Sequence, residues 1–349
     1  MKGLIGVLLL MLCFQSCGQQ QGENDRALVG AILDAPRDIS IAIDEARKSD
    51  NIRSLLVSHK GALIVEHYFT SYPKDSLDHM RSVTKSVMAT LIGIAIDKKI
   101  IAHVDESIAT YLGDDASGYE DITIRHLLTM TSGLEWDEGI GYNDNDEMKE
   151  GPSQLKYVLG KPIVHPPGSK WNYTTGGTHL LSIILTRASG MSTLEFANRH
   201  LFGPLGIDGI RWKKFKGGYY GGGSGLELKP RHMILLGELF KNHGMFNGKR
   251  IVSESFMRTA VSPQQPEGDE SFVETSGYGY CFWTNHEEMA EGYAAQGYGG
   301  QTIVVLDDYD LVIATTYKWR VHGEQAAKQQ QEAFNVVTYA IAKQFIDIK

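Results

Sequence analysis

Cysteine is nearly absent from this chain, and its placement excludes a disulfide framework. Of three cysteines, Cys13 and Cys17 fall among the first seventeen residues and only Cys281 lies beyond them. With no disulfide available within the bulk of the chain, stability has to come from burial, which 349 residues at 42% hydrophobic and 22% charged can supply in one large domain. Excess positive charge is missing too. A net charge of -8 without any Lys/Arg run excludes the basic surface that nucleic-acid binding requires. The apolar run at the N-terminus, Leu4 to Phe14, is too short to span a bilayer comfortably. Two catalytic signatures are also lacking. Gly222-Gly223-Ser224-Gly225 is followed by Leu226, so there is no Gly-x-Ser-x-Gly elbow. The twelve histidines include no pair at i, i+2 or i, i+4, so no local zinc motif is present, and neither a metal nor a cofactor is expected.

What the N-terminus does have is Met1-Lys2 followed by a short greasy stretch, the pattern of a secretory signal over residues 1–17. Its last residues, Phe14-Gln15-Ser16-Cys17, resemble the lipobox of bacterial lipoproteins, which implies lipidation at Cys17 and a protein anchored to a membrane of the cell envelope. Phe14 and Gln15 depart from the usual leucine and small residue, leaving ordinary cleavage and a retained anchor open. Residues 18–38 open on Gly, Gln, Glu and Asn and read as a polar tether. A single domain is expected over residues 39–349.

Within that domain, Leu55 to Val57 and Ala62 to Phe69 flank Lys60-Gly61, and Thr302 to Leu306 and Leu311 to Thr316 flank Asp307-Asp308; both patterns read as β-hairpins. A closing helix is expected from Gln325 to Phe345. Between the hairpins, Ser82 to Asp97 carries Val83, Val87, Leu91 and Ile94 at helical spacing. The stretches 112–134, 154–159 and 179–202 read as mostly helical, and Lys216 to Gly225 as a glycine-rich loop. Strands at both chain ends with helices between them predict a sheet built from the termini around a helical insertion.

The chemistry-bearing signal is Ser82-Val83-Thr84-Lys85 at the head of the apolar helix. Residues three apart lie one turn apart on the same side, so the lysine can reach the serine hydroxyl. A lysine whose pKa is depressed by burial can accept that proton and make the serine a nucleophile. The same spacing at Ser71-Tyr72-Pro73-Lys74 reads as a surface loop, because the proline forces the residue before it out of the helical region. On those four residues alone, Ser82 as a helix cap and Lys85 as a solvated charge remain equally open.

Further runs weigh toward catalysis. Ser82 to Leu91, His126 to Leu134, and Pro167-Gly168 leading into Trp171-Asn172-Tyr173-Thr174-Thr175-Gly176 resemble the class C β-lactamase-related serine hydrolases in order and spacing. Gly222 to Leu226, Pro230-Arg231, Gly244 to Ile251 and Gly297-Tyr298-Gly299-Gly300-Gln301 extend the likeness to nearly everything from Ser54 to Val312. The resemblance implies an α+β, β-lactamase/transpeptidase-like fold with its site in a cleft between sheet and helical insert. It implies an acyl-enzyme on Ser82, with Lys85 and Tyr173 handling protons. The family's Lys-Thr-Gly or His-x-Gly motif aligns with Ala295-Gln296-Gly297, where only the glycine matches. That implies a role for Gln296 and Gly297 on the substrate strand and for the Tyr298 N–H, with that of Ser82, in an oxyanion hole. Thr175 stands where β-lactamases have asparagine. The Gly-Tyr-Gly-Gly-Gln form resembles the esterase and amide-hydrolase branches, so ester or amide substrates are expected ahead of β-lactams. A DD-peptidase or true β-lactamase, and a non-catalytic envelope lipoprotein that binds cell-wall peptides, stay as alternatives. The expected partners are a small acyl substrate and a membrane, with the oligomeric state open. Glu135 and Asp137 read as loop solvation, and Trp171, Trp212 and Trp283 as core or pocket wall.

Overall fold

The computed structural model describes residues 39–49, 51–139, 143–265, 276–285, 292–336 and 341–346. The expected signal, tether and Cys17 lie outside these residues. Helix α1 (Ile39–Ala46) precedes strands β1 (Ile52–His59) and β2 (Ala62–Tyr68), which turn through Lys60 (φ 51°) and Gly61 (φ 79°). Two successive positive φ angles match the turn to the right-handed strand twist, and an X-Gly pair is suited to supply them. At the other end, β11 (Gln301–Leu306) and β12 (Leu311–Tyr317) form the second hairpin through a short 3-10 turn at Asp307–Tyr309.

The two ends meet in one antiparallel sheet of order β2-β1-β12-β11-β10-β9-β8, with β8 at Ser276–Tyr278, β9 at Trp283–Asn285 and β10 at Gly292–Gly297. β1 pairs directly with β12, Leu56 opposite Ala314 and Val57 opposite Ile313. Successive side chains of a strand point to opposite faces, and the apolar residues separate accordingly. Leu56, Val312 and Ala314 join the larger core with α2 (Val83–Asp97) and the inserted helices, whereas Leu55, Val57 and Ile313 pack against α1 and the C-terminal helices. A sheet covered on both faces has no solvent side, so β12 is buried along its whole length and reads Leu-Val-Ile-Ala from Leu311 instead of alternating, while the Thr315 and Thr316 hydroxyls pair with Thr302 and Ser54.

The insertion carries α3 (Thr175–Ser189) and several short helices, and it returns to the sheet through α4 (Pro230–Lys241). A small second sheet of order β3-β5-β4 links Asp78–His79, Leu226–Leu228 and Arg211–Trp212 below the start of α2. Two helical expectations need correction. The 112–134 stretch is helical only at Ala109–Leu112, a 3-10 turn at Gly113–Ala116, and Ile124–Leu128. Beyond these it runs as loop, because its carbonyls serve distant segments and not its own next turn: Met130 O accepts from the Asn172 N–H at 2.8 Å, Thr131 O from Gly168 at 2.7 Å and Gly133 O from Val164 at 2.8 Å. The closing helix starts at Gly323 as α5 (Gly323–Asn335), and the chain is helical again at Lys343–Ile346. Among the described residues no helix is long and apolar enough to cross a membrane.

Candidate active site

Ser82 sits at the N-cap of α2, and from Val83 to Ala95 that helix is buried on every side. Arg81, immediately before it, adopts φ 50°. A side chain held in the left-handed region stores strain that the surroundings must impose. Those surroundings are visible: the Arg81 N–H donates to His79 Nδ1 at 3.0 Å, Thr84 donates to the Arg81 carbonyl at 2.7 Å, and Gly297 of β10 presses against the same peptide. A Cβ at Gly297 would stand 2.4 Å from the Met80 carbonyl, so only glycine lets the strand approach the nucleophile's backbone this closely. Among the described residues neither the Ser82 nor the Tyr298 N–H has a protein acceptor.

Lys85 is 1% exposed, one turn along from Ser82. Its Nζ donates to Ser82 Oγ at 3.0 Å, Thr175 Oγ1 at 2.7 Å and the Gly223 carbonyl at 3.2 Å, so all three ammonium hydrogens are used. Burial drives its pKa from the ordinary 10.5 down to about 8, with Glu138 pulling it back up. Nζ also lies 4.7 Å from the centre of the Tyr173 ring. Tyr173 precedes α3 and is enclosed by Trp171, Tyr278 and Trp283 at ring separations of 6.1, 6.3 and 5.8 Å. That apolar nest pushes the phenol well above its usual range, and a hydrogen bond with the Ser82 hydroxyl opposes the shift. The two environments therefore move two titratable groups apart: the lysine toward a neutral base near pH 8, the tyrosine toward a permanently protonated donor.

Two of these partners were not expected as such. Thr175, standing where β-lactamases have asparagine, holds the lysine: it accepts from Lys85 Nζ at 2.7 Å, its hydroxyl donates to Glu138 Oε1 and its N–H to Oε2 at 3.1 Å. Glu138 also accepts from Trp136 Nε1. Glu135 and Asp137 are exposed, as expected, but the loop alternates, and Trp136 and Glu138 turn inward. An apolar side chain two residues before a carboxylate in an extended segment was the available signal. The glycine-rich loop supplies the Gly223 carbonyl. A Cβ at Gly223 would lie 2.6 Å from both Thr175 Cγ2 and Thr178 Oγ1, and the neighbouring Gly222 N–H donates to His179 Nδ1 at 3.3 Å. Burial takes His179 down to about 3, which keeps that nitrogen free to accept.

The family model described as Beta-lactamase matches residues 43–336. The chain belongs to this family. It is similar to 6-aminohexanoate-dimer hydrolase of Paenarthrobacter ureafaciens, 21% identical over 76% of this chain and 72% of that protein. It is also similar to Esterase EstB of Burkholderia gladioli, 26% identical over 38% of each chain. A putative 6-aminohexanoate-dimer hydrolase from Bacillus anthracis superposes with a TM-score of 0.71 at 20% identity, covering 88% of this chain and 81% of that one; this likeness speaks to the fold. The fold is thus β-lactamase/transpeptidase-like, an antiparallel sheet flanked by helices.

Set in that family, the third motif departs from expectation. Ala295 and Tyr293 face the core with α2, but Gln296 points to the opposite face, where its Oε1 accepts from Gln330 of α5 at 3.2 Å. Its side chain therefore belongs to the helix packing and not to the cleft, the consequence of strand alternation about Gly297. Tyr298 remains at the mouth, its ring 6.0 Å from the Arg81 guanidinium. Trp171 and Trp283 wall Tyr173, whereas Trp212 packs on Phe202 and donates to the Gly221 carbonyl at 2.8 Å, away from it. Cys281, buried and pushed up to about 12, stays a thiol.

Proposed function

We propose that this protein is a serine hydrolase that opens ester or amide carbonyls through an acyl-enzyme on Ser82. The observation that carries the reading is Lys85 Nζ at 3.0 Å from Ser82 Oγ with its pKa brought to about 8. Neutral Lys85 takes the hydroxyl proton as Oγ bonds to the carbonyl carbon. The resulting oxyanion is received by the Ser82 and Tyr298 N–H groups. As the bond to the leaving group breaks, Tyr173 protonates the departing oxygen or nitrogen and is resupplied from the Lys85 ammonium, so the serine proton ends on the leaving group. Water then attacks the acyl-enzyme and gives its proton to Lys85; as the acyl–Oγ bond breaks, that proton returns to Ser82 Oγ and the acid is released. Ala295 leaves no cation at the strand position where penicillin-binding relatives hold a carboxylate, which supports esters and amides over β-lactams.

The test is labelling with a fluorophosphonate probe and turnover of short p-nitrophenyl esters and amide oligomers. Wild type labels and turns over at least one class, and Ser82→Ala does neither while keeping its fold. Labelling that persists in Ser82→Ala would remove Ser82 from the mechanism.

We further propose that Cys17 carries a lipid anchor that holds the domain at the cell envelope, on the strength of the greasy run before it and the polar stretch after it. Metabolic labelling with a lipid analogue tests this: label and detergent partitioning disappear in Cys17→Ser.

A further inference from the structure

Beside Trp319, whose carbonyl Arg81 holds, lies an open groove of about 770 Å³ whose lining includes Arg53, Arg211, Lys229, Lys318 and Arg320, with Asp75 the only acidic residue. Three of the five cations are committed. Arg53 pairs with Asp78, Arg211 stands 3.6 Å from Glu227, and Lys229 lies 3.7 Å from Asp75. Lys318 and Arg320 are exposed and have no carboxylate partner among the described residues. In a chain of net charge -8, two adjacent unneutralised cations run against the overall balance. Such a cluster in a concave wall concentrates anions locally.

The groove and the catalytic cleft share a wall. Trp319 lines the groove with its ring stacked on His79 at 5.0 Å and the Arg320 guanidinium 4.7 Å from its centre. Its carbonyl accepts from Arg81 Nη2, and the Arg81 guanidinium is 5.4 Å from the Trp319 ring and 6.0 Å from that of Tyr298. One arginine, next to the nucleophile in sequence, thus touches both the substrate-strand tyrosine and the tryptophan that borders the basic groove.

We propose that the groove is a carboxylate-binding subsite, with Lys318 and Arg320 receiving a carboxylate carried several bonds away from the scissile carbonyl. The proposal rests on the hydrolase reading and gives it a substrate class: linear esters or amides bearing a remote carboxylate. It also relocates charge recognition, since the cation absent at Ala295 beside the scissile bond is replaced by two cations farther out. Guanidinium and ammonium groups bind carboxylates through charge-assisted hydrogen bonds, and at this exposure the attraction is weakened by salt.

The experiment compares methyl hexanoate, monomethyl adipate and 6-acetoxyhexanoate, which carry no carboxylate, one on the acyl side and one on the alcohol side. Affinity is measured by calorimetry on Ser82→Ala and kcat/KM on wild type, each repeated with Lys318→Glu/Arg320→Glu. At low salt at least one carboxylate-bearing ester is favoured about fivefold or more over methyl hexanoate, and the preference disappears in the charge-reversed variant and shrinks in 0.5 M salt. Neither neutral-ester turnover nor thermal stability changes in that variant. No preference, or one that survives charge reversal, overturns the subsite. Failure of wild type to turn over any ester or to label with fluorophosphonate would instead count against the hydrolase reading, and the affinities on Ser82→Ala would still decide the groove.

Discussion

Lys85 bonds to Ser82, and Lys318 and Arg320 flank Trp319, whose carbonyl the neighbouring Arg81 holds; the two sets show what surroundings do to a cation. Lys85 is sealed among Ser82, Thr175, Gly223 and the Tyr173 ring, and loss of water brings its pKa to about 8. Lys318 and Arg320 are exposed at an open groove, where water and salt reach them. Burial makes charging Lys85 costly and so favours its neutral, basic form, whereas Lys318 and Arg320 keep their water. Under the two proposals above, burial alone divides chemistry from recognition.

The strongest way to break this contrast is Lys85→Met. It should lower kcat/KM for an ester by about 10⁴-fold, the scale on which loss of a base in a coupled catalytic set is felt. Stability should change little, since relief of the buried charge is opposed by loss of the donors to Thr175 and the Gly223 carbonyl. The pH dependence gives the sign independently. Because Lys85 binds its proton less tightly folded than unfolded, wild type should gain stability as pH rises from about 8 toward 10.5, and Lys85→Met should lack that gain. Thermal melts across this range, with kinetics, provide the check; a variant both inactive and strongly destabilised would assign Lys85 a structural task.

Tyr173→Phe keeps the ring in its aromatic nest and removes the proton donor. The expected loss is about 10²–10³ in kcat for a poor leaving group, with little change in melting temperature. A smaller loss for p-nitrophenolate, which leaves without protonation, would sharpen the donor role; equal losses for both leaving groups would contradict it.

Comparing nitrocefin with a p-nitrophenyl ester probes the strand position at Ala295. One missing charge-assisted contact costs about 1.5–3 kcal/mol, so the nitrocefin kcat/KM should fall one to two decades below that of the ester. A nitrocefin value at or above the ester value would mean that another cation in the cleft already does this work.

The smallest effect belongs to Glu138→Gln. Glu138 raises the Lys85 pKa, so removing its charge should move the rise of kcat/KM with pH to below about 8. The weakened hold on Thr175 should cost roughly tenfold at the optimum, on the order of 1.4 kcal/mol. An alkaline displacement of the profile would refute the electrostatic link.

Much of this site could be read along the chain because its members are local or patterned. Ser82 and Lys85 are one helical turn apart, Lys60-Gly61 names its own turn, and the run from Trp171 to Gly176 marks Tyr173. Thr175 was placed at the site, but its partners were not legible, because its hydroxyl lies between Lys85 and Glu138, which come from a helix and a loop far apart in sequence. Gln296 was misassigned because a one-residue step along a strand exchanges faces, and the resemblance by itself does not say which face meets the cleft.

Local spacing and apolar periodicity determined that this chain makes two terminal hairpins, a buried helix and a serine within reach of a lysine. Those features depend on backbone geometry that repeats over a few residues. Tertiary structure alone decided how acidic that lysine is, that Glu138 and the Gly223 carbonyl attend it, and that a basic groove opens across Trp319. Desolvation and long-range pairing depend on which distant segments exclude water from one another, and that is fixed only when the sheet closes around the insertion.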